Sequence, residues 1–288
     1  MEPGIPKHNM MEALYNPMVP RPYLVSRTRR ELRDTLTLFL EPADHQQPFR
    51  NAPGQFNMLY IFGVGEVPVS ISGDAERTNT LVHTVRAVGA VTEAMCKLKR
   101  GDLVGVRGPF GSQWHAEKVT GKDLVIVAGG IGLAPLRPVL YQVQKHRSEY
   151  GQVFLLYGAR SPEELLYRKE VEQWKKRFDM NVEVTVDRAS TDWQGHVGVV
   201  TTLISQARFD PVNTTAMLCG PEVMMRFAVM ELQKRGVGAE NIFVSMERNM
   251  KCAIGFCGRC QFGPTFICKD GPILCYDRIS NWFGTREV

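Results

Sequence analysis

Five of the seven cysteines, Cys252, Cys257, Cys260, Cys268 and Cys275, fall within 24 residues of one another, well apart from Cys96 and Cys219. The first twenty residues hold no apolar leader, so such a concentration of thiols points to metal rather than to disulfides. Cys252-Ala-Ile-Gly-Phe-Cys257-Gly-Arg-Cys260 has the C-x4-C-x2-C spacing of a plant-type [2Fe–2S] site, and Cys268 follows after seven intervening residues as the fourth thiolate. A loop around such a cluster must bring thiolates in from one side while its amides face the sulfurs. Ala253, Gly255 and Gly258 leave the backbone free to come that close. A structural zinc site is the alternative, although zinc usually takes two C-x2-C pairs and only one stands here. Cys275, in Pro-Ile-Leu-Cys, reads as a spare thiol or as a ligand in place of Cys268.

A second group of residues suits phosphate. Gly129-Gly130-Ile-Gly132-Leu-Ala-Pro135 stands between an apolar strand and a helix, a G-x-G-x-x-P variant of the dinucleotide fingerprint. Glycine allows the sharp turn and lets a ligand lie against bare backbone. Pro135 suits the first turn of a helix whose amides attract a pyrophosphate. A glycine turn that serves packing alone is the alternative. Gly158-Ala-Arg160 and Cys219-Gly220-Pro221 put glycine at two further strand ends, on the edge where open α/β sheets bind ligands. Asp187-Arg188 ends another strand there, as a ligand-reading pair or as a strand cap. Earlier in the chain, Arg86-Ala-Val-Gly89-Ala90-Val91-Thr92 precedes a short helix, with Thr92 expected at the N-cap and the amides from Ala90 to Glu93 facing a phosphate. Arg86 is either the phosphate's partner or a surface cation.

Two kinds of element must hold these groups. From Tyr23 to about Trp114 short alternating stretches (Tyr23–Val25, Leu36–Leu40, 58–62, 67–71, Leu81–Val85, Leu103–Val106) predict the strands of a small barrel, broken by one helix over 92–98. Beyond it, apolar strands at 124–128, 153–157, 182–187, 216–219 and 242–245 alternate with helices at about 135–146, 162–178, 199–207 and 221–236. That alternation predicts a doubly wound parallel α/β sheet. The expected organisation is an arm over 1–20, a barrel over 21–117, an α/β domain over 118–245 and a cysteine module over 246–288, whose poor periodicity makes its order depend on a ligand. The net charge of +5 comes without a basic run, so charge alone does not argue for a nucleic-acid partner and none is expected, and no apolar stretch is long enough to predict a membrane span. A cytoplasmic protein is the expectation. The six histidines are scattered, and no Ser/His/Asp or paired-carboxylate arrangement calls for hydrolytic chemistry.

Taken in order, Pro68-Val69-Ser70, Gly89-x-x-Thr92, Gly101-Asp102, Gly108-Pro-Phe-Gly111, Gly130-x-Gly132-x-x-Pro135 and Cys219-Gly220-Pro221 resemble the ferredoxin–NADP reductase superfamily. With Met246-Glu-Arg-Asn-Met-Lys-Cys252 and the cysteine motif, residues 20–280 look most like the gamma, or diaphorase, subunits of cytoplasmic [NiFe] hydrogenases of the sulfhydrogenase type. The flavoprotein subunit of anaerobic sulfite reductase and, at a greater distance, the electron-transfer subunit of dihydroorotate dehydrogenase are similar too. The resemblance implies an FAD on the barrel, with Ser70 beside its reactive edge and Gly89 to Thr92 on its pyrophosphate. It implies NAD(H) or NADP(H) on Gly130, Gly132 and Pro135, with Cys219-Gly220-Pro221 near the nicotinamide. Asp187 would favour a free ribose 2′-hydroxyl, whereas Arg160 and Arg188 would favour a 2′-phosphate. Many members carry Arg and an aromatic where Val67 and Val69 stand here, so the flavin phosphates need another cation, Arg86 for instance, and FMN is an alternative to FAD. Flavin joins the two-electron chemistry of nicotinamide to the one-electron chemistry of iron–sulfur, so it must lie between them. The implied partners are the iron–sulfur and catalytic subunits of a larger complex. A non-enzymatic, zinc-stabilised or redox-sensing binding module is the rival of another class.

Overall fold

Alternating apolar and polar residues in the first third of the chain form six strands and one helix: β1 (Arg21–Leu32), β2 (Thr35–Pro42), β3 (Phe56–Ile61), β4 (Gly65–Ser70), β5 (Leu81–Arg86), α1 (Ala90–Met95) and β6 (Leu103–Phe110). The computed structural model describes residues 16–44, 50–189 and 191–285, without the side chains of Glu117 and Lys118. Most of the expected N-terminal arm, residues 1–15, lies outside the described residues. The strands pair antiparallel in the order β4-β3-β6-β1-β2-β5. The two edges then meet: Ile71 bridges His83, and His83 Nδ1 donates to the Ser70 carbonyl at 3.0 Å. The sheet thereby closes on itself beside Ser70, around a core that includes Tyr23, Leu38, Leu40, Leu59, Met95 and Val106.

The second part alternates as the sequence predicts, through β7 (Asp123–Gly129), α2 (Leu133–Lys145), β8 (Val153–Ala159), α3 (Arg168–Lys175), β9 (Asn181–Val186), β10 (His196–Val197), α4 (Thr201–Gln206), β11 (Thr214–Cys219), α5 (Glu222–Lys234) and β12 (Ile242–Ser245). The cysteine-rich end adds β13 (Gln261–Phe262), β14 (Thr265–Phe266), α6 (Ile267–Asp270), β15 (Ile273–Cys275) and α7 (Tyr276–Ile279). The large sheet runs β10-β9-β8-β7-β11-β12-β15, parallel except for β15, which pairs antiparallel with β12. Along β7, Leu124, Ile126 and Ala128 face a core shared with α2 and α3, whereas Val125 and Val127 face one shared with α4 and α5. Period two thus sends helices to both faces. The strand order reverses between β7 and β11, which sets the switch point where such sheets bind ligands.

Two expectations differ from the structure. The helix anticipated over 162–178 is only eight residues long, after a 3-10 turn at Pro162–Glu164. Tyr167 interrupts it in a left-handed conformation (φ 53°), its hydroxyl held 2.6 Å from Thr84 Oγ1 of the barrel. A tertiary hydrogen bond overrides the helical pattern there. The cysteine-rich segment also has more regular structure than its composition announces, because Phe262, Ile267, Leu274 and Ile279 are buried in the same core as β11 and β12. Among the described residues no helix is long and apolar enough to cross a membrane.

Candidate functional site

The rim of the parallel sheet is built backbone on backbone. A Cβ on Gly132 would collide with the Cys219 carbonyl, and one on Gly220 would lie 3.0 Å from Gly129 Cα. Gly129 itself is covered by the Met224 sulfur and, at 3.1 Å, by Pro221 Cδ. These three glycines therefore let the β7 and β11 turns nest together, which is the packing role weighed from the sequence. Gly130 is different: it has φ +54° and open space where a Cβ would project. Pro135 lies in the first turn of α2, as expected. Gly158 ends β8 against Val200, 2.9 Å from where its Cβ would be. Just beyond, the Asp187 amide donates to the Ala159 carbonyl at 3.0 Å and the Arg188 amide to that of Arg160 at 2.9 Å. Arg160, Asp187 and Arg188 are thus held side by side, exposed at the far end of the rim.

Cys219 is fully buried, and its thiol is pushed up to about 12 by burial and by the negative charge of Glu247, against a hydrogen bond from Ser245. It stays a neutral thiol, suited to contact rather than to nucleophilic attack. Glu247 keeps part of its surface in solvent, yet the protein around its carboxyl raises its pKa. The sequence offered Glu247 only as part of the Met246-Glu-Arg stretch, and its position beside Cys219 comes from β12 running next to β11.

On the barrel, Pro68, Val69 and Ser70 form the end of β4, with Val69 buried and Pro68 and Ser70 half-buried. Thr92 is not the N-cap. Gly89 is, and Thr92 sits at the third helical position, where its hydroxyl accepts from the Val88 and Gly89 amides at 3.0 Å each. A threonine oxygen can reach back over one turn, so the cap is closed from inside the helix. The Ala90, Val91 and Thr92 amides fall in the first turn, where a helix offers them no backbone acceptor. Arg86 pairs with Asp34 at 2.7 Å and with Glu164 of the second domain at 3.7 Å, and so stands as a bridge between domains.

The four cysteines come together only in part, as two pairs along one loop. Cys252, Cys260 and Cys268 are buried and Cys257 is exposed. The amides of Ile254, Phe256 and Cys257 donate to Cys252 Sγ at 3.5, 3.3 and 3.4 Å, that of Gly255 to Cys268 Sγ at 3.1 Å, and that of Cys268 to Cys260 Sγ at 3.4 Å. Burial pushes the Cys252 thiol up, but the Ile254, Cys257 and Phe256 amides outweigh it and bring the group down to about 7. Cys268 is pushed up to about 12 by burial and by Cys260 beside it. The loop needs left-handed backbone at Ala253 (φ 65°), Gly255 (74°) and Gly258 (74°), and a non-glycine residue in that region marks a constrained turn. Among the described residues no three Cys, His, Asp or Glu side chains converge to cage a single ion. Instead Cys252 stands with Cys257 and Cys260 with Cys268. Five amides turned on three sulfurs fit thiolates that share an iron–sulfur group, whose sulfurs must accept hydrogen bonds in a shielded place. Cys275 lies outside this set, in β15, with its thiol toward the Ala239 and Glu240 carbonyls at 3.8 and 3.5 Å.

Comparison with known proteins agrees with this layout. The oxidoreductase NAD-binding domain family matches residues 126–230, and the iron–sulfur cluster binding domain of dihydroorotate dehydrogenase B matches residues 247–280. Sulfhydrogenase 1 subunit gamma of Pyrococcus furiosus is 37% identical over 268 residues, covering 88% of this chain and 92% of that one. A probable dihydroorotate dehydrogenase B (NAD(+)) electron transfer subunit of the same organism is 36% identical over 231 residues, 80% and 81% of the two chains. Among solved structures, an NADH-dependent reduced ferredoxin–NADP oxidoreductase superposes with a TM-score of 0.72 at 23% identity, covering 92% of this chain and 94% of its own. A ferredoxin–NADP reductase from Neisseria gonorrhoeae, solved with FAD and NADP bound, gives 0.66 at 19% identity, covering 77% and 96%. The solved structures share the fold, the sequence relatives are alike along most of their length, and the chain belongs to the family of electron-transfer subunits of oxidoreductase complexes that includes the sulfhydrogenase gamma subunits, on a ferredoxin–NADP reductase-like fold.

Proposed function

We propose that this chain is the NAD(P)H-oxidising, FAD- and [2Fe–2S]-bearing subunit of a cytoplasmic [NiFe] hydrogenase of the sulfhydrogenase type. The observation that carries the reading is the Cys252–Cys268 loop, whose amides turn on its sulfurs and whose Cys252 carbonyl accepts from Arg107 of the barrel. Phe56 of β3 pairs across the ladder with Ser70 and belongs to the same apolar core as Cys260 and Cys268. A flavin edge at Ser70 would therefore lie one strand, ~5 Å, from Phe56, which belongs to that shared core.

Each residue group has a task in this reading. Gly130, open where a Cβ would project, with Gly132 and Pro135 at the start of α2, would line the dinucleotide phosphates, Gly220 and Pro221 would lie near the nicotinamide, and Arg160, Asp187 and Arg188 beyond Gly158 would read the adenosine ribose. Cys219, a neutral thiol, would bound the nicotinamide pocket and keep water from it. Pro68, Val69 and Ser70 would hold the isoalloxazine, and the Ala90, Val91 and Thr92 amides its pyrophosphate, Arg86 being engaged by Asp34 and Glu164. Bound flavin supplies the step between two-electron and one-electron carriers. Cys252, Cys257, Cys260 and Cys268 would hold the irons.

The test is an anaerobic preparation of the chain with whatever copurifies. About one FAD, two irons and two sulfides per chain, NAD(P)H-dependent dye reduction and hydrogenase subunits in the complex are the expected results. Hydrogen uptake by the isolated chain, or an absence of both iron and flavin, would overturn the reading. A second reading is an electron-transfer subunit for dihydroorotate oxidation, favoured by the domain family matched over residues 247–280. Copurification of a dihydroorotate-oxidising subunit would select it, and a sulfite-reducing partner would select the third relative of the superfamily.

A further inference from the structure

Arg107 belongs to β6 of the barrel and is 1% exposed. Its fork reaches outward. Nε and Nη2 grip the Glu66 carboxylate at 3.0 and 2.8 Å, Nη1 donates to the Pro17 carbonyl at 2.8 Å and to that of Cys252 at 3.2 Å, and Nη2 donates to the Lys251 carbonyl at 3.3 Å. A buried guanidinium is tolerated only when its donors are met. Three stretches far apart in sequence meet them here, and two of the acceptors are the carbonyls on either side of the Cys252 α-carbon.

That choice of acceptors has a geometric consequence. With the Lys251 and Cys252 carbonyls held on the barrel side, the chain turns left-handed at Ala253 (φ 65°), and the next amides, at Ile254, Phe256 and Cys257, come round onto Cys252 Sγ.

We propose that Arg107 is the positioning residue of the iron–sulfur loop: from inside the flavin barrel it anchors the Lys251–Cys252 backbone, and so sets both the aim of the amides on the first thiolate and the distance of the cluster from the flavin domain. This rests on the reading that the four cysteines hold an iron–sulfur cluster. The guanidinium also places a cation behind Cys252, balanced by Glu66. Replacing it by a neutral group leaves the Glu66 carboxylate facing the loop, which disfavours an added electron.

The experiment compares the full chain, prepared anaerobically, with R107Q and E66Q. Iron and sulfide are counted per flavin, iron loss to a chelator is timed, and the reduced cluster is followed by EPR during a redox titration. R107Q is expected to lose iron ~10- to 100-fold faster, as when partners behind metal ligands are removed, with altered g-values and a lower reduction potential. E66Q keeps the carbonyl bonds, so its iron retention stays near wild type while its potential moves upward. Wild-type g-values, potential and iron retention in R107Q would overturn the proposal, as would an E66Q variant that sheds iron as fast as R107Q. Should R107Q be insoluble, R107K takes its place: an ammonium cannot span both carbonyls and the carboxylate, so unchanged g-values and iron retention there also overturn it. A wild-type chain without iron would instead remove the cluster assignment on which the proposal stands.

Discussion

Two cysteines near the cluster loop separate the ligand reading from its alternative. Cys268 Sγ accepts from the Gly255 amide and the Cys268 amide donates to Cys260 Sγ, whereas Cys275 faces the carbonyls at 239 and 240. C275S is therefore expected to retain full iron and sulfide, and C268S to lose most of both, measured on anaerobically purified protein; the reverse pattern would move the fourth ligand to Cys275. At the ribose end, Asp187 repels a 2′-phosphate and Arg160 and Arg188 attract it. D187S is expected to raise the kcat/KM ratio of NADPH to NADH by about tenfold, roughly one lost charge repulsion at 1.4 kcal/mol per decade. R160A is expected to lower the same ratio. Neither of these residues is in an ion pair among the described residues, so their charges are available to a ligand.

A buried histidine takes part in the closure of the barrel. His83 of β5 is fully buried, and burial pulls its pKa down to about 4 against the hydrogen bonds to the Ser70 and Val69 backbone. Because Nδ1 donates to Ser70, Nε2 is left to accept from Asn57 Nδ2 at 3.1 Å, which requires the neutral ring. The unfolded chain takes up a proton near the ordinary value of 6.5, the folded one only near 4. The unfolded state thus binds more protons in that window, and the stability it contributes is full above 6.5 and lost as pH falls toward 4. The expected loss is on the order of 3 kcal/mol for the fully buried ring. Denaturant titrations from pH 7 to pH 4 check it, and H83Q should flatten the slope. The site of closure matters, because Ser70 is the residue proposed beside the flavin.

Barrel and sheet are fastened by a buried polar bridge. Glu170 of α3 accepts from Arg137 of α2 at 2.8 Å, from Tyr141 at 2.7 Å and from Arg29 of the barrel at 3.0 Å, while the Arg137 guanidinium lies 4.2 Å from the Tyr167 ring. Burial raises the Glu170 carboxyl, but Arg137, Tyr141 and Arg29 outweigh it and hold it below its ordinary value. E170A leaves the Arg137 side chain, 6% exposed, without its counter-ion and is expected to cost about 3–5 kcal/mol in denaturant unfolding. E170Q, which keeps a hydrogen-bond acceptor, should cost less. If E170A unfolds like wild type, the bridge does not hold the domains together.

Much of this arrangement is legible in short stretches of the chain. Thiol spacing from Cys252 to Cys268, glycines at the ends of β7, β8 and β11, and the change from period two in a barrel to alternating strand and helix are all local patterns, and local patterns survive in a one-dimensional text. Arg107 with the Lys251–Cys252 carbonyls, His83 with Ser70 and Asn57, Tyr167 with Thr84, and Glu247 with Cys219 are not local. Their partners stand from 13 to 145 residues away and meet only after the sheets have closed and packed. A buried arginine in a strand reads in sequence like any surface cation, because what makes it a fork on the cysteine loop is the desolvation and the acceptors that folding assembles around it.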